Sequence, residues 1–133
     1  MSERETLDSI TRRVIGAAIE VHRVLGPGVL ESTYPACLVH DLGERGMCVT
    51  ERVALPVRYK GVQLECGYRL DLFVNDHVVI EVKSAEAVTP VQRAQLLSYL
   101  KLSGYKIGLL INFNVRVLKD GVVRLVNGTI STL

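Results

Sequence analysis

Two runs of strand-forming residues, Leu70-Asp71-Leu72-Phe73-Val74 and Val78-Val79-Ile80-Glu81-Val82, are the most apolar strand-like segments of this chain, yet each has a carboxylate inside it. Residues of these types pack well on a pleated surface, so both runs are expected to be buried strands. An ionised carboxylate there is costly unless it is paired, protonated or neutralised by a bound cation. The link Asn75-Asp76-His77 decides whether the two carboxylates meet. Directly opposite residues of an antiparallel pair share a face, so Asp71 and Glu81 converge only if the hairpin centres on Asp76. A three-residue loop, with Asn or Asp left-handed, gives that register, whereas a two-residue Asn75-Asp76 turn puts the carboxylates on opposite faces. Lys83 shares the face of Glu81 by alternation.

The 133 residues point to a single domain over residues 1–133, able to bury about two thirds of its unfolded surface. With 48% hydrophobic and 23% charged residues, disorder is excluded as the main state. No apolar run reaches the roughly 18 residues of a membrane span, and the polar Met1-Ser2-Glu3-Arg4-Glu5 does not begin a secretory signal. A cytoplasmic protein with no membrane partner is expected. Cys37, Cys48 and Cys66 lack the C-x-x-C spacing of zinc and redox sites and are expected to be buried thiols. A net charge of +2 is compatible with nucleic acid but does not argue for it.

Apolar positions three and four apart predict a first helix over Thr6 to Leu25, stopped by Gly26-Pro27. A second helix is expected from near Val29 to Gly46, with Leu30, Tyr34, Leu38 and Leu42 as its apolar stripe and Glu31 in its first turn. Pro35 predicts a late start or a kink in it. Met47 to Tyr59 reads as one interrupted strand or two around Pro56, and Lys60-Gly61 as a turn. Thr89-Pro90-Val91-Gln92 carries an N-cap, a first-position proline and a capping-box glutamine, so a third helix runs from there to Gly104. The apolar strand Lys106 to Phe113 follows, and the strand-helix-strand order predicts a parallel crossover. Lys119-Asp120-Gly121 reads as a hairpin turn between Val115–Leu118 and Val122–Val126. The architecture is therefore α/β, a mixed β-sheet flanked by α-helices.

Two carboxylates and an ammonium on one face suit phosphodiester hydrolysis, in which oxygen ligands hold Mg²⁺ and lysine orients or deprotonates water. Gln92, Gln95 and Tyr99 lie three and four apart on the third helix and could face the same edge. Their amides and hydroxyl suit positioning rather than proton transfer. The D-x9-E-x-K spacing alone fits equally a solvated hairpin face, a nuclease, or a metal-binding module that catalyses nothing. His22 reads as a satisfied helix residue beside the core, and Tyr34, Tyr68 and Tyr99 read either as core-edge residues or as stacking platforms for bases. Arg12, Arg13, Arg23, Arg69, Lys101 and Lys106 are solvated charges or phosphate contacts.

Gly28-Val29-Leu30-Glu31-Ser32-Thr33-Tyr34 reads as G-x-x-E-x-x-Y, and Gly67-Tyr68-Arg69-Leu70-Asp71, Glu81-Val82-Lys83, Thr89-Pro90, Gln95-Leu96-Leu97-Ser98-Tyr99 and Gly108-Leu109-Leu110-Ile111-Asn112-Phe113-Asn114 follow in order. On these motifs the chain resembles the GxxExxY family of the PD-(D/E)xK nuclease superfamily, from about Ile10 to Val126. The resemblance implies a restriction-endonuclease-like core, with Asp71 and Glu81 as metal ligands, Lys83 as the catalytic lysine and Glu31 contributing from a helix. It also implies the Val82 main-chain carbonyl in the metal shell, and Gln95 with Tyr99 as the Q-x-x-x-Y element of RecB-like branches, associated with the active site and nucleic acid. Pro35 and Gln92 depart from that family's pattern. The function expected is a Mg²⁺- or Mn²⁺-dependent nuclease acting on DNA or RNA, the alternative being a non-catalytic metal- or nucleic-acid-binding module. Tyr34, Tyr68, Arg69 and Tyr99 are the expected substrate contacts. Since few residues lie outside the core to read bases, a homodimer or an accessory protein is an expected partner.

Overall fold

A computed structural model describes residues 2–65 and 68–132. The expectations for the Cys66 thiol and for Gly67 in its motif lie outside the described residues. In chain order the elements are α1 (Glu3–Leu25), α2 (Thr33–Glu44), β1 (Val49–Ala54), β2 (Val57–Tyr59), β3 (Val62–Leu64), β4 (Arg69–Val74), β5 (Val78–Lys83), α3 (Pro90–Ser103), β6 (Ile107–Asn112), a 3-10 turn (Leu118–Gly121) and β7 (Val122–Val126). Among the described residues, five strands form one sheet in the order β1-β4-β5-β6-β7, and β2-β3 is a separate hairpin. The β5–β6 pair is parallel and the other pairs are antiparallel, so the sheet is mixed, as expected.

Burial explains which helix lies where. Leu7, Ile10, Val14 and Val21 of α1 and Tyr34, Leu38 and Leu42 of α2 pack with Leu72, Val74, Ile80, Leu109 and Ile111. Leu96 and Leu100 of α3 pack instead with Phe73, Val79 and Leu110, the alternate residues of the same strands. Helices thus cover both faces, which is why β6 is buried at every position. α3 begins as its sequence dictates. The Thr89 side chain accepts the Gln92 amide at 3.1 Å, the Gln92 side chain accepts the Thr89 amide at 3.0 Å, and left-handed Gly104 closes the helix.

Four expectations change. α2 starts at Thr33 rather than near Val29, the late start that Pro35 predicts, which places Pro35 in the first turn, where its missing amide breaks no intrahelical bond. Leu30 accordingly falls outside the helix and is 75% exposed instead of belonging to the apolar stripe. Cys48 is exposed and Cys37 half-buried, so neither is a fully buried thiol. Residues 115–118 form no hairpin strand. β7 pairs with β6 from Ile107↔Val126 to Ile111↔Val122, because a long buried edge offers more rungs than a short local hairpin. Residues 113–121 cross over α1, where the Val115 carbonyl accepts His22 Nε2–H at 2.7 Å. Gly121 is required there, since a Cβ would sit 2.1 Å from the Asn112 carbonyl oxygen.

Candidate active site

The β4–β5 hairpin adopts the register that lets the carboxylates meet. Leu72↔Ile80, Phe73↔Val79 and Val74↔Val78 are paired, so the turn is the three residues Asn75-Asp76-His77 centred on Asp76. Both Asn75 and Asp76 are left-handed, at φ 50° and 57°. Asn75 also anchors the turn to the neighbouring edge, since its Oδ1 accepts the Cys48 amide at 2.8 Å.

At the other end of the hairpin, backbone pairing stops and side chains take over. The Asp71 amide donates to Glu81 Oε1 at 3.0 Å, and the Val82 amide donates to Asp71 Oδ2 at 2.8 Å. Each carboxylate therefore occupies a rung that the ladder leaves vacant. In a strand the amide and carbonyl of one residue point to the same side, so the Val82 carbonyl, like its amide, is directed to the β4 side of β5. Glu81 is only 6% exposed. Burial first, and then the Asp71 charge, push Glu81 up to about 7, while hydrogen bonds from the Asp71 amide and Tyr68 and the nearby Lys83 charge pull the other way. Asp71 is raised as well, chiefly by burial, with the Glu31 charge adding to it and the Val82 hydrogen bond and the Lys83 and Arg52 charges opposing it. The half-buried Lys83 lies on β5 one alternate position beyond Glu81.

Glu31 is brought to the same edge by a turn, not by a helix. It precedes the N-cap Ser32, and its Oε1 accepts the Ser84 amide at 2.8 Å, beside the end of β5. The late start of α2 is the reason for this correction. Glu31, Arg52, Asp71 and Val82 line a cleft of about 350 Å³. Among the described residues, no three acidic, histidine or cysteine side chains stand close enough to form a ready metal cage. The carboxylates are turned onto backbone amides instead. The donor set still fits a hard divalent cation, because it consists of carboxylate and carbonyl oxygens, and burial, which raises both carboxyl pKa values, has taken from the carboxylates the water that a cation would replace.

The aromatic candidates separate. The rings of Tyr68 and Tyr99 stack at 3.6 Å between centroids, and the Tyr68 hydroxyl hydrogen-bonds Glu81. Burial above all raises the Tyr68 pKa. Tyr34 cannot contact a substrate as expected, because it has 0% exposure. Its ring stacks on Phe113 at 4.4 Å, and its hydroxyl donates to the Gly26 carbonyl at 2.7 Å and accepts the Val29 amide at 3.2 Å. It ties down the loop that presents Glu31. Arg69 and Gln95 are exposed, Arg69 at the start of β4 and Gln95 one turn before Tyr99 on α3. Gln92 is engaged in the cap rather than free to face the edge.

Two residues of this region escaped sequence reasoning. Asn112, 2% exposed, pairs with Lys83 across the parallel ladder. Its Oδ1 accepts the Ala85 amide at 3.1 Å and its Nδ2 donates to the Ala85 carbonyl at 2.9 Å, so it holds the chain just after Lys83. A lone amide at the end of an apolar strand was the available signal. The other is Arg52, whose φ of 51° no residue type in the run Glu51-Arg52-Val53 announces.

A family model described as the PD-(D/E)XK nuclease superfamily matches residues 8–125. No curated protein matches the chain. A solved structure, the crystal structure of LHK-Exo in complex with dAMP, is similar to it with 16% identity and a TM-score of 0.44, over 84% of this chain and 76% of that chain.

Proposed function

The chain belongs to the PD-(D/E)XK nuclease superfamily, and from that premise we propose that it is a divalent-metal-dependent nuclease of the GxxExxY type that hydrolyses phosphodiester bonds of DNA or RNA. The observation that carries this reading is the interlocked pair, Asp71 on the Val82 amide and Glu81 on the Asp71 amide, with Lys83 beside them. Asp71, Glu81 and the Val82 carbonyl would hold Mg²⁺ or Mn²⁺, and Glu31 supports them from the turn before α2. When bound, such an ion supplies a Lewis acid that polarises a phosphoryl oxygen and lowers the pKa of water.

The chain's own residues supply the rest. The Tyr68 hydroxyl and the Asp71 amide hold Glu81 in place. Lys83 Nζ orients the attacking water or takes its proton. Gln95 cannot titrate, so its amide positions a phosphate or water rather than moving a proton. Tyr68 and Tyr99 present a stacked pair near Glu81, and Arg69 an exposed cation, as contacts for the nucleic-acid strand. A second copy of the chain or an accessory protein supplies further base-reading surface.

The test is cleavage of DNA and RNA oligomers by purified protein with Mg²⁺ or Mn²⁺, repeated with Asp71→Asn and Lys83→Ala. Loss of at least about a hundredfold in rate is expected for each, the scale of removing a catalytic proton-transfer or charge-stabilising group. Cleavage that survives either substitution rejects these assignments. Metal and polymer binding with no turnover in the unaltered protein would favour the non-catalytic module.

A further inference from the structure

Arg52 lies inside β1, between the paired positions Glu51↔Leu72 and Val53↔Leu70, yet its φ is 51°. The register is the same on both sides, so no residue is inserted and the strand turns over within one residue. Packing records the turnover. Val49 packs on the core under α1 and α2, but Val53 packs on the core under α3, although four residues of strict alternation would keep them together. β4 switches at the same level, with Leu72 and Val74 in the first core and Leu70 in the second. The level of the break is Arg52 opposite Asp71, where Asp71 leaves the ladder and its amide and carboxylate turn to Glu81 and Val82.

Glycine takes this backbone conformation without the Cβ penalty, and arginine does not. What arginine adds is a guanidinium at the lip of the cleft formed with Glu31, Asp71 and Val82. Arg52 is exposed, and its charge acts on Asp71. Among the described residues it forms no ion pair with any carboxylate. A cleft lined by the carboxylates Glu31, Glu51 and Asp71 repels a polyanion, so an uncommitted cation at its lip offsets that repulsion where the strand must enter. A planar guanidinium fork matches two oxygens of a phosphodiester.

We propose that Arg52 is a substrate-positioning residue whose guanidinium binds a phosphodiester group of the nucleic-acid strand beside Asp71. The proposal rests on the nuclease reading above. The test compares the unaltered protein with Arg52→Gly, Arg52→Asn and Arg52→Lys, using short DNA and RNA oligomers. Binding is measured in EDTA or Ca²⁺ over a salt series, cleavage in Mg²⁺ or Mn²⁺, and thermal midpoints alongside. Arg52→Gly and Arg52→Asn, which both tolerate the left-handed backbone, should keep or raise the thermal midpoint. Their Kd and KM should rise about tenfold, with kcat changed far less, and the salt slope of binding should fall by about one. Arg52→Lys keeps the charge but not the fork, and should restore the slope and part of the affinity.

Folded Arg52→Gly and Arg52→Asn proteins that bind and cleave as well as the original, with the same salt slope, would overturn the proposal. Binding without cleavage by the unaltered protein, lost in Arg52→Gly, would overturn the nuclease reading and leave the Arg52 contact standing. An unaltered protein that neither binds nor cleaves any of the oligomers would overturn both.

Discussion

Two adjoining parts of one sheet differ in how completely their backbone is paired. β5 and β6 form an unbroken parallel ladder from Val78↔Ile107 to Lys83↔Asn112, and every residue of β6 is buried. β4, on the other side of β5, keeps its pairing with β5 only from Val74 to Leu72 and skips Asp71 in its pairing with β1. A closed ladder consumes its own amides and carbonyls, which stabilises the fold and leaves nothing for chemistry. An interrupted one leaves polar groups pointing at a single place. The carboxylates that fill the gap are held by backbone amides, and Lys83 stands at the far end of β5, where the closed and open parts of the sheet meet.

Truncation in the closed part should be the most destructive change. Leu109 has 0% exposure, and Leu109→Ala is expected to cost about 2–5 kcal/mol in urea unfolding. A loss under about 1 kcal/mol would show that the paired strands are not the centre of stability.

The open part should respond to pH in the opposite sense from an ordinary paired carboxylate. The pKa of Glu81 is raised from 4.5 to about 7, so the folded chain holds this proton more tightly than the unfolded one. Its stabilising contribution is complete below about 4.5 and is lost as pH rises through about 7. In EDTA the protein should therefore lose up to about 3 kcal/mol across that window, and Glu81→Gln should flatten the loss. Mg²⁺ should restore stability more at pH 8 than at pH 5, since only the ionised carboxylates attract it. A flat profile in the unaltered protein would mean that Glu81 is better solvated than the geometry implies.

The turn that joins the two strands gives the smallest effect. Asp76→Gly removes a Cβ from a left-handed position at φ 57° and should stabilise the protein by up to about 1 kcal/mol. It should leave the interlocked carboxylates in place, because the register set by the three-residue loop is unchanged. Destabilisation would indicate that the Asp76 side chain holds the turn.

Much of the fold could be read from local chemistry. Thr89, Pro90 and Gln92 begin α3, Gly104 ends it, and Lys60-Gly61 turns the β2-β3 hairpin, because each of these effects acts within a few residues. The convergence of Asp71 and Glu81 was legible as a condition on the loop, and the loop meets it. The reach of Glu31 was legible only in part: Pro35 announces the late start of α2, but the loop ahead of it is fixed by a hydrogen bond from Tyr34 to Gly26, which no local signal states. The same burial removes Tyr34 from the surface, which the spacing of aromatic residues could not reveal. The partner of β7 was misread because a turn signal at Lys119-Asp120-Gly121 is local, whereas the free edge of β6 lies more than ten residues upstream.

The sequence alone determined the parts list: two apolar strands each carrying a carboxylate, a lysine after the second, a capped helix, and a buried strand to follow. Side-chain period, capping and turn preference are short-range, so the residue order is enough to state them. Tertiary structure decided which groups the carboxylates face and where the ladder breaks. The left-handed residue opposite Asp71 is an arginine, the Val82 amide turns to Asp71, and Glu31 arrives beside Ser84. Those outcomes follow from how each strand's rungs are shared with its neighbours and from what remains unpaired, a balance that exists only once the sheet is assembled.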